Sequence, residues 1–203
     1  MEHLFLSYSH KDADFIEELI PQLKAEGFSP WTDAESIAPG TPWRHSIDKA
    51  IQESFAVLVL MTPAARASEY VTYEWAYAMG IGITVIPVML EKTDLHPKLE
   101  ELQYVDLTRG RKRPIQRLLV RLAELRVEHW IKRLDEPRFE DRNRAIRRLV
   151  ELDSDAAVSK LIELMWDDPS EKAVRPHAAD ALRVLGTPEA LDAVARWEDE
   201  HAR

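Results

Sequence analysis

Glu74 is the residue most able to do chemistry, and its setting is unusual. It stands inside ASEYVTYEWAYAM (67–79), where most other residues are small or aromatic, just after the apolar run FAVLVLM (55–61). Either it is an ordinary solvated helix residue or it is a carboxylate held in place for a reaction. The chain has no cysteine, so thiol nucleophiles, disulfides and zinc–thiolate sites are excluded. His10 has no serine and aspartate at the spacing of a nucleophile's base. Hydroxyls, aromatic rings and one carboxylate remain, with no cluster of metal ligands.

These residues need a scaffold, and the first 108 residues provide one by alternating two textures. Leu4–Tyr8, Phe28–Trp31, Phe55–Met61, Ile83–Leu90 and Tyr104–Leu107 read as strands, the third apolar throughout. Between them, Phe15, Ile16, Leu19, Ile20 and Leu23 recur at helical spacing, with Asp12 expected as N-cap and Gly27 as the stop. Trp43, Ile47, Ala50 and Ile51 form a second helical stripe, and Tyr73–Met79 reads as a third helix. Strand and helix in alternation predict a doubly wound α/β domain, a parallel sheet with helices on both faces. Ligands of such sheets bind at the carboxyl ends of the strands. Three segments are expected to meet there: Ser7–Asp12, the 33–42 loop, and Thr62–Glu74.

After Leu107 the texture is helical only. Ile115, Leu118, Leu119, Leu122 and Leu125 line one helix face, expected to run toward Leu134 before Glu136-Pro137 breaks it. An internal repeat then appears at an offset of 33 residues: Arg142, Ala145, Leu149, Leu152, Ala157, Val158 and Leu161 match Arg175, Ala178, Leu182, Leu185, Ala190, Leu191 and Val194. Each copy is helix, tight turn, helix, which resembles the HEAT type of α-solenoid. Two copies bury too little core to stand alone, so the linking helix, the α/β domain or another subunit is expected to cover the open end.

The three boxes FLSYSHKD (5–12), GFSPWTDAESIAPGTPWRHSIDKAI (27–51) and SEYVTYEWAYA (68–78) together resemble a Toll/interleukin-1 receptor (TIR) domain of bacterial type. The resemblance covers about residues 1–127, leaving 128–203 as the HEAT-like part. It implies a flavodoxin-like fold and, as in many bacterial members, cleavage of the nicotinamide–ribose bond of NAD+, which is then substrate and not cofactor. In those enzymes a serine, an aromatic and a glutamate follow the third strand as S-x-W-x-x-x-E. Ser68, Tyr70 and Glu74 fall on these positions, with tyrosine where tryptophan is commoner.

That chemistry suits a single carboxylate. Nicotinamide leaves as a neutral base from a cationic ring, so no general acid is needed. The ribose gains oxocarbenium character, as in glycoside hydrolysis, and a nearby carboxylate stabilises it. Glu74 is the catalytic candidate, Tyr70 a stacking platform, Ser68 a further substrate contact, and backbone amides near Ser9 and His10 a phosphate contact. Asp33 serves either the ribose or adenine, or an Asx-turn. Trp31 and Trp43 are expected in the core or in loop packing. The resemblance makes the 39–42 loop (Pro-Gly-Thr-Pro) a self-association element; a rigid turn is the alternative. It also implies assembly through TIR–TIR contacts and a role in defence against phage. A non-enzymatic adaptor and an N-glycosidase for another nucleotide are the rival readings.

Charge and hydropathy bound the partners. The net charge of -9 disfavours nonspecific nucleic-acid binding. Arg109, Arg111, Lys112 and Arg113 are a local exception, expected as a solvated loop. From Asp135 onward 17 acidic residues face 11 basic ones, so the helical part carries most of the negative charge and is expected to offer a surface to a protein partner or trigger. No signal peptide and no apolar run of membrane-spanning length are evident, and a cytoplasmic location is the expectation.

Overall fold

Eight consecutive residues, Ser54–Met61, are buried, a pattern that needs a strand covered on both faces. The computed structural model describes residues 3–32, 43–109, 112–167 and 173–201, and in it this strand is the centre of a five-stranded sheet. The strands are β1 (His3–Ser7), β2 (Pro30–Trp31), β3 (Ser54–Met61), β4 (Thr84–Met89) and β5 (Val105–Asp106). All pair in parallel, in the order β2-β1-β3-β4-β5. The helices are α1 (Ala13–Ala25), α2 (Trp43–Gln52), α3 (Pro63–Arg66), α4 (Glu69–Gly80), α5 (Pro97–Glu100), α6 (Lys112–Lys132), α7 (Phe139–Glu151), α8 (Val158–Asp167), α9 (Val174–Leu185) and α10 (Pro188–His201). Among the described residues no helix is long and apolar enough to cross a membrane.

Side-chain alternation decides what each sheet face touches. Phe5 is in register with Val57, and Val57 with Val85. These three share one cluster with Ile47 and Ile51 of α2 and with Val71, Trp75 and Ala78 of α4. Leu4, Leu6, Leu58 and Leu60 turn to the other face and are fully or nearly fully buried there. The crossovers β1–α1–β2 and β3–α4–β4 run outward in opposite directions along the sheet. Right-handed connections therefore put α1 and α4 on opposite faces. Chain order reverses between β1 and β3, which opens the crevice where such sheets bind ligands.

Two elements are shorter than the apolar runs suggest. β2 keeps only two residues of 28–31 and β5 only two of 104–107. Both are edge strands with one partner each, and Pro30 has no N–H to donate. The third helix is longer than expected because Ser68 caps it, accepting from the Val71 amide at 3.3 Å. α4 is tied to α2 as well: Tyr73 Oη donates to Asp48 Oδ1 at 2.5 Å, and Gln52 Nε2 donates to Tyr77 Oη at 2.5 Å. The bond to Asp48 holds the Tyr73 phenol above its ordinary range. Trp31 stacks on Phe5 at 4.9 Å between centroids, a packing role. Asp33 and the 39–42 loop lie outside the described residues.

The chain divides into two compact units, Met1–Ala123 and Glu124–Arg203. In the second, the repeat is visible in the backbone. Asp153 (φ 48) and Gly186 (φ 65), 33 residues apart, both adopt the left-handed conformation that ends the first helix of each copy. Glycine takes it without strain, and aspartate is among the few residues that tolerate it. Ala145 and Ala178, Leu149 and Leu182, Ala157 and Ala190 are buried pairwise. The linking helix does cover one end, since Trp130 and Leu134 join this core. At the other end the copies diverge: Val158 is 3% exposed but Leu191 48%. Glu198, at the place of the buried Met165, pairs with Arg183, giving the outer face a polar cap.

His129 adds a pH-dependent weak point to this unit. Burial first, then the charges of Arg133 and Lys132, push its imidazole down to about 4. Unfolded, it takes up a proton near 6.5. Its contribution is therefore complete above that value and is lost as pH falls from 6.5 toward 4. Urea denaturation at pH 7.5 and pH 5 should show a loss of about 1–2 kcal/mol from this residue. His129→Gln should remove that part of the pH dependence.

Candidate active site

α4 begins where Ser68 caps it, and its buried residues are Val71, Glu74, Trp75 and Ala78. That is the i, i+3, i+4, i+7 stripe of a helix face pressed on a core, so Glu74 occupies a position where an apolar residue is the rule. It is 6% exposed. The question posed by its neighbours is answered for burial: Glu74 is not a solvated surface residue. Burial of a carboxylate demands a donor, and Ser7 supplies one, its Oγ donating to Glu74 Oε2 at 2.6 Å. Ser7 is the last residue of β1, paired with Val59. Alternation from Phe5 points it to the face that α4 covers.

A second bond crosses between the same two strand ends. Thr62, just after β3, donates from Oγ1 to Asp12 Oδ2 at 2.8 Å and accepts from the Ala65 amide at 3.0 Å. Asp12 thus differs from its expected role. It stands at the N-cap position of α1 but makes no side-chain cap bond. The chain enters α1 through a 3-10 turn, His10–Asp12, capped by Ser9 Oγ accepting from the Lys11 amide at 3.4 Å. That turn leaves the Asp12 carboxylate facing Thr62.

The other candidates are placed as follows. Ser9 and His10 follow β1, His10 exposed and set edge-on to Tyr8 at 6.1 Å. Ser68 and Tyr70 open α4, which follows β3. Ser9 and His10 thus follow β1, and Ser68, Tyr70 and Glu74 follow its neighbour β3; Glu74 is tied to the end of β1 through Ser7. Tyr70 lies one helical turn before Glu74 but is 62% exposed. Asp33 is outside the described residues. Ser7, Asp12 and Thr62 lie in segments expected at the site, but the sequence gives none of them a role of its own there. For Ser7 the signal was available: the alternation that buries Phe5 also buries position 7.

A flavodoxin-like domain with a buried carboxylate at its topological switch point is the class these features define. The TIR domain family matches residues 4–120 and the HEAT repeat family residues 127–203. The chain belongs to the TIR domain family and carries HEAT repeats after that domain. It is similar to the NAD(+) hydrolase PdTIR of Paracoccus denitrificans (strain Pd 1222), 43% identical over 61 residues, which are 29% of this chain and 20% of that protein. The chain thus spans about a fifth of the length of that relative. Among solved structures it is similar to the TIR domain of the Toll-related receptor TRR-2 from Hydra magnipapillata. The TM-score is 0.52 at 18% identity, over 61% of this chain and 97% of that one.

Proposed function

We propose that the TIR domain cleaves the nicotinamide–ribose bond of NAD+, releasing nicotinamide and either ADP-ribose or a cyclic isomer of it. The observation that carries this reading is the burial of Glu74 in the apolar stripe of α4, at the switch-point crevice and bonded to Ser7. Naming of the similar Paracoccus denitrificans protein as an NAD(+) hydrolase supports it. As C1 of the ribose loses the pyridinium nitrogen, the bonding electrons leave with neutral nicotinamide. The positive charge moves onto C1 and the ring oxygen. A carboxylate beside them attracts that charge more strongly in the transition state than in the ground state, which is what raises a rate. Water capturing C1 gives ADP-ribose; an internal ribose or adenine atom gives a cyclic product. Tyr70 offers a face for the nicotinamide, and the Ser9–His10 turn offers amides to a phosphate.

The assay is incubation of purified protein with NAD+ under crowding, with products separated by chromatography and mass. Nicotinamide from the wild type and none from Glu74→Ala supports the reading. NAD+ left intact by the assembled wild type defeats it and favours an adaptor that works by TIR–TIR association.

Activity is further proposed to depend on assembly through TIR contacts, with the HEAT unit taking a protein trigger, in a cytoplasmic response to phage. Specific activity should then rise steeply with protein concentration. Rate strictly proportional to concentration over a hundredfold range would count against assembly.

A further inference from the structure

We propose that Ser7 is the positioning residue for Glu74, fixing its carboxylate from the rigid end of β1. The proposal rests on the reading of Glu74 as the catalytic carboxylate, and three observations lead to it. The face of the sheet under α4 is otherwise built from apolar strand residues, Phe5, Val57, Val59, Met61, Val85 and Met89. A serine at 0% exposure there forgoes apolar packing and buries a hydroxyl, which is unfavourable unless it is bonded. The hydroxyl is bonded, donating to Glu74 Oε2 at 2.6 Å, well within the range of an O–H···O bond.

The third observation is where the two ends are anchored. Ser7 is held by parallel pairing with β3 at Val59, which fixes its backbone to the central strand, and its side chain has a single heavy-atom rotor. Glu74 is a longer side chain on a helix and has three. A bond from the stiff partner to the flexible one removes rotation of the carboxylate about its last torsion. Electrostatic stabilisation of a developing oxocarbenium ion depends on such pre-set orientation. A merely structural serine would lower stability when replaced but would leave the turnover of folded enzyme, and its pH dependence, unchanged.

The test uses the full chain with Ser7→Ala and Ser7→Thr. Glu74 carboxyl titration is followed by carbon-13 NMR, its signal assigned by its loss in Glu74→Gln. This readout needs no turnover, so it judges the Ser7–Glu74 link even if NAD+ is not the substrate. Ser7→Ala should move the carboxyl titration to higher pH. It should lower kcat for NAD+ cleavage by about ten- to a hundredfold, leave KM within about twofold, and shift the acid limb of the rate profile in the same direction. Ser7→Thr, which keeps the hydroxyl, should recover most of kcat. The proposal is overturned by an unmoved carboxyl titration in Ser7→Ala. A loss confined to KM, or an equal loss in both variants tracking a common fall in Tm, would overturn it too. An inactive wild type with a displaced titration sinks the NAD+ reading alone and leaves the link standing.

Discussion

Glu74→Gln is expected to lower kcat for NAD+ cleavage by about 10²–10³-fold, equivalent to roughly 3–4 kcal/mol of transition-state stabilisation. Glutamine keeps the size of the side chain, and its carbonyl oxygen can still accept from Ser7; the negative charge is removed and one acceptor oxygen becomes an NH2 donor. Fold stability should hold or rise slightly, because a buried ionised carboxylate is costly to desolvate. Loss of turnover with an unchanged or higher Tm therefore isolates the charge as the active element. Glu74→Ala should be at least as inactive and less stable, since it leaves a space and an unbonded Ser7 hydroxyl in the core. An adaptor gives a different pattern, with TIR–TIR association intact in both variants and no catalytic difference to lose. An N-glycosidase for another nucleotide would show the same dependence on Glu74 with a different substrate.

How far the sequence led can be judged from single residues. The order of strands and helices was readable because β3 is apolar over its whole length and the helices keep a clear 3.6-residue stripe. The ends of edge strands were not, since a strand paired on one side is set by where hydrogen bonding stops and not by where apolar residues stop. Glu74 was found, but its burial was not decidable from a run of small and aromatic neighbours. The stripe Val71–Trp75–Ala78 settles it once α4 is seen to start at Glu69. Ser7 falls in a segment the sequence brings to the crevice, but its bond to Glu74 depends on α4 lying over that end of β1. Asp12 carries the local signal of a helix cap, while the bond it makes is to Thr62, 50 residues away. Contacts of that range depend on which strands become neighbours, and here the β1–β3 adjacency decides both cross-links.

Leu182→Ala should be among the most damaging substitutions in the HEAT unit, reducing its stability by about 3–4 kcal/mol. Leu182 is fully buried in α9, the helix packed against α7, α8 and α10, so truncation opens a cavity that three neighbours must close. A unit of roughly 80 residues has a total stability of about 4–12 kcal/mol, and such a loss takes a large share of it. Hydrogen exchange on peptides from α7–α10 should accelerate by about two to three orders of magnitude, as that free-energy change requires. Leu191→Ala is the control: a leucine 48% exposed on the same pair of helices should change stability by less than about 0.5 kcal/mol. If Leu191→Ala proves equally damaging, the outer face is covered in solution by a partner or a second copy. Measuring NAD+ cleavage in both variants then separates two roles. A HEAT unit that receives a trigger loses activation when Leu182→Ala loosens its core, with basal turnover at Glu74 retained. A unit whose exposed end makes the activating contact loses activation through Leu191→Ala while its own fold stays intact.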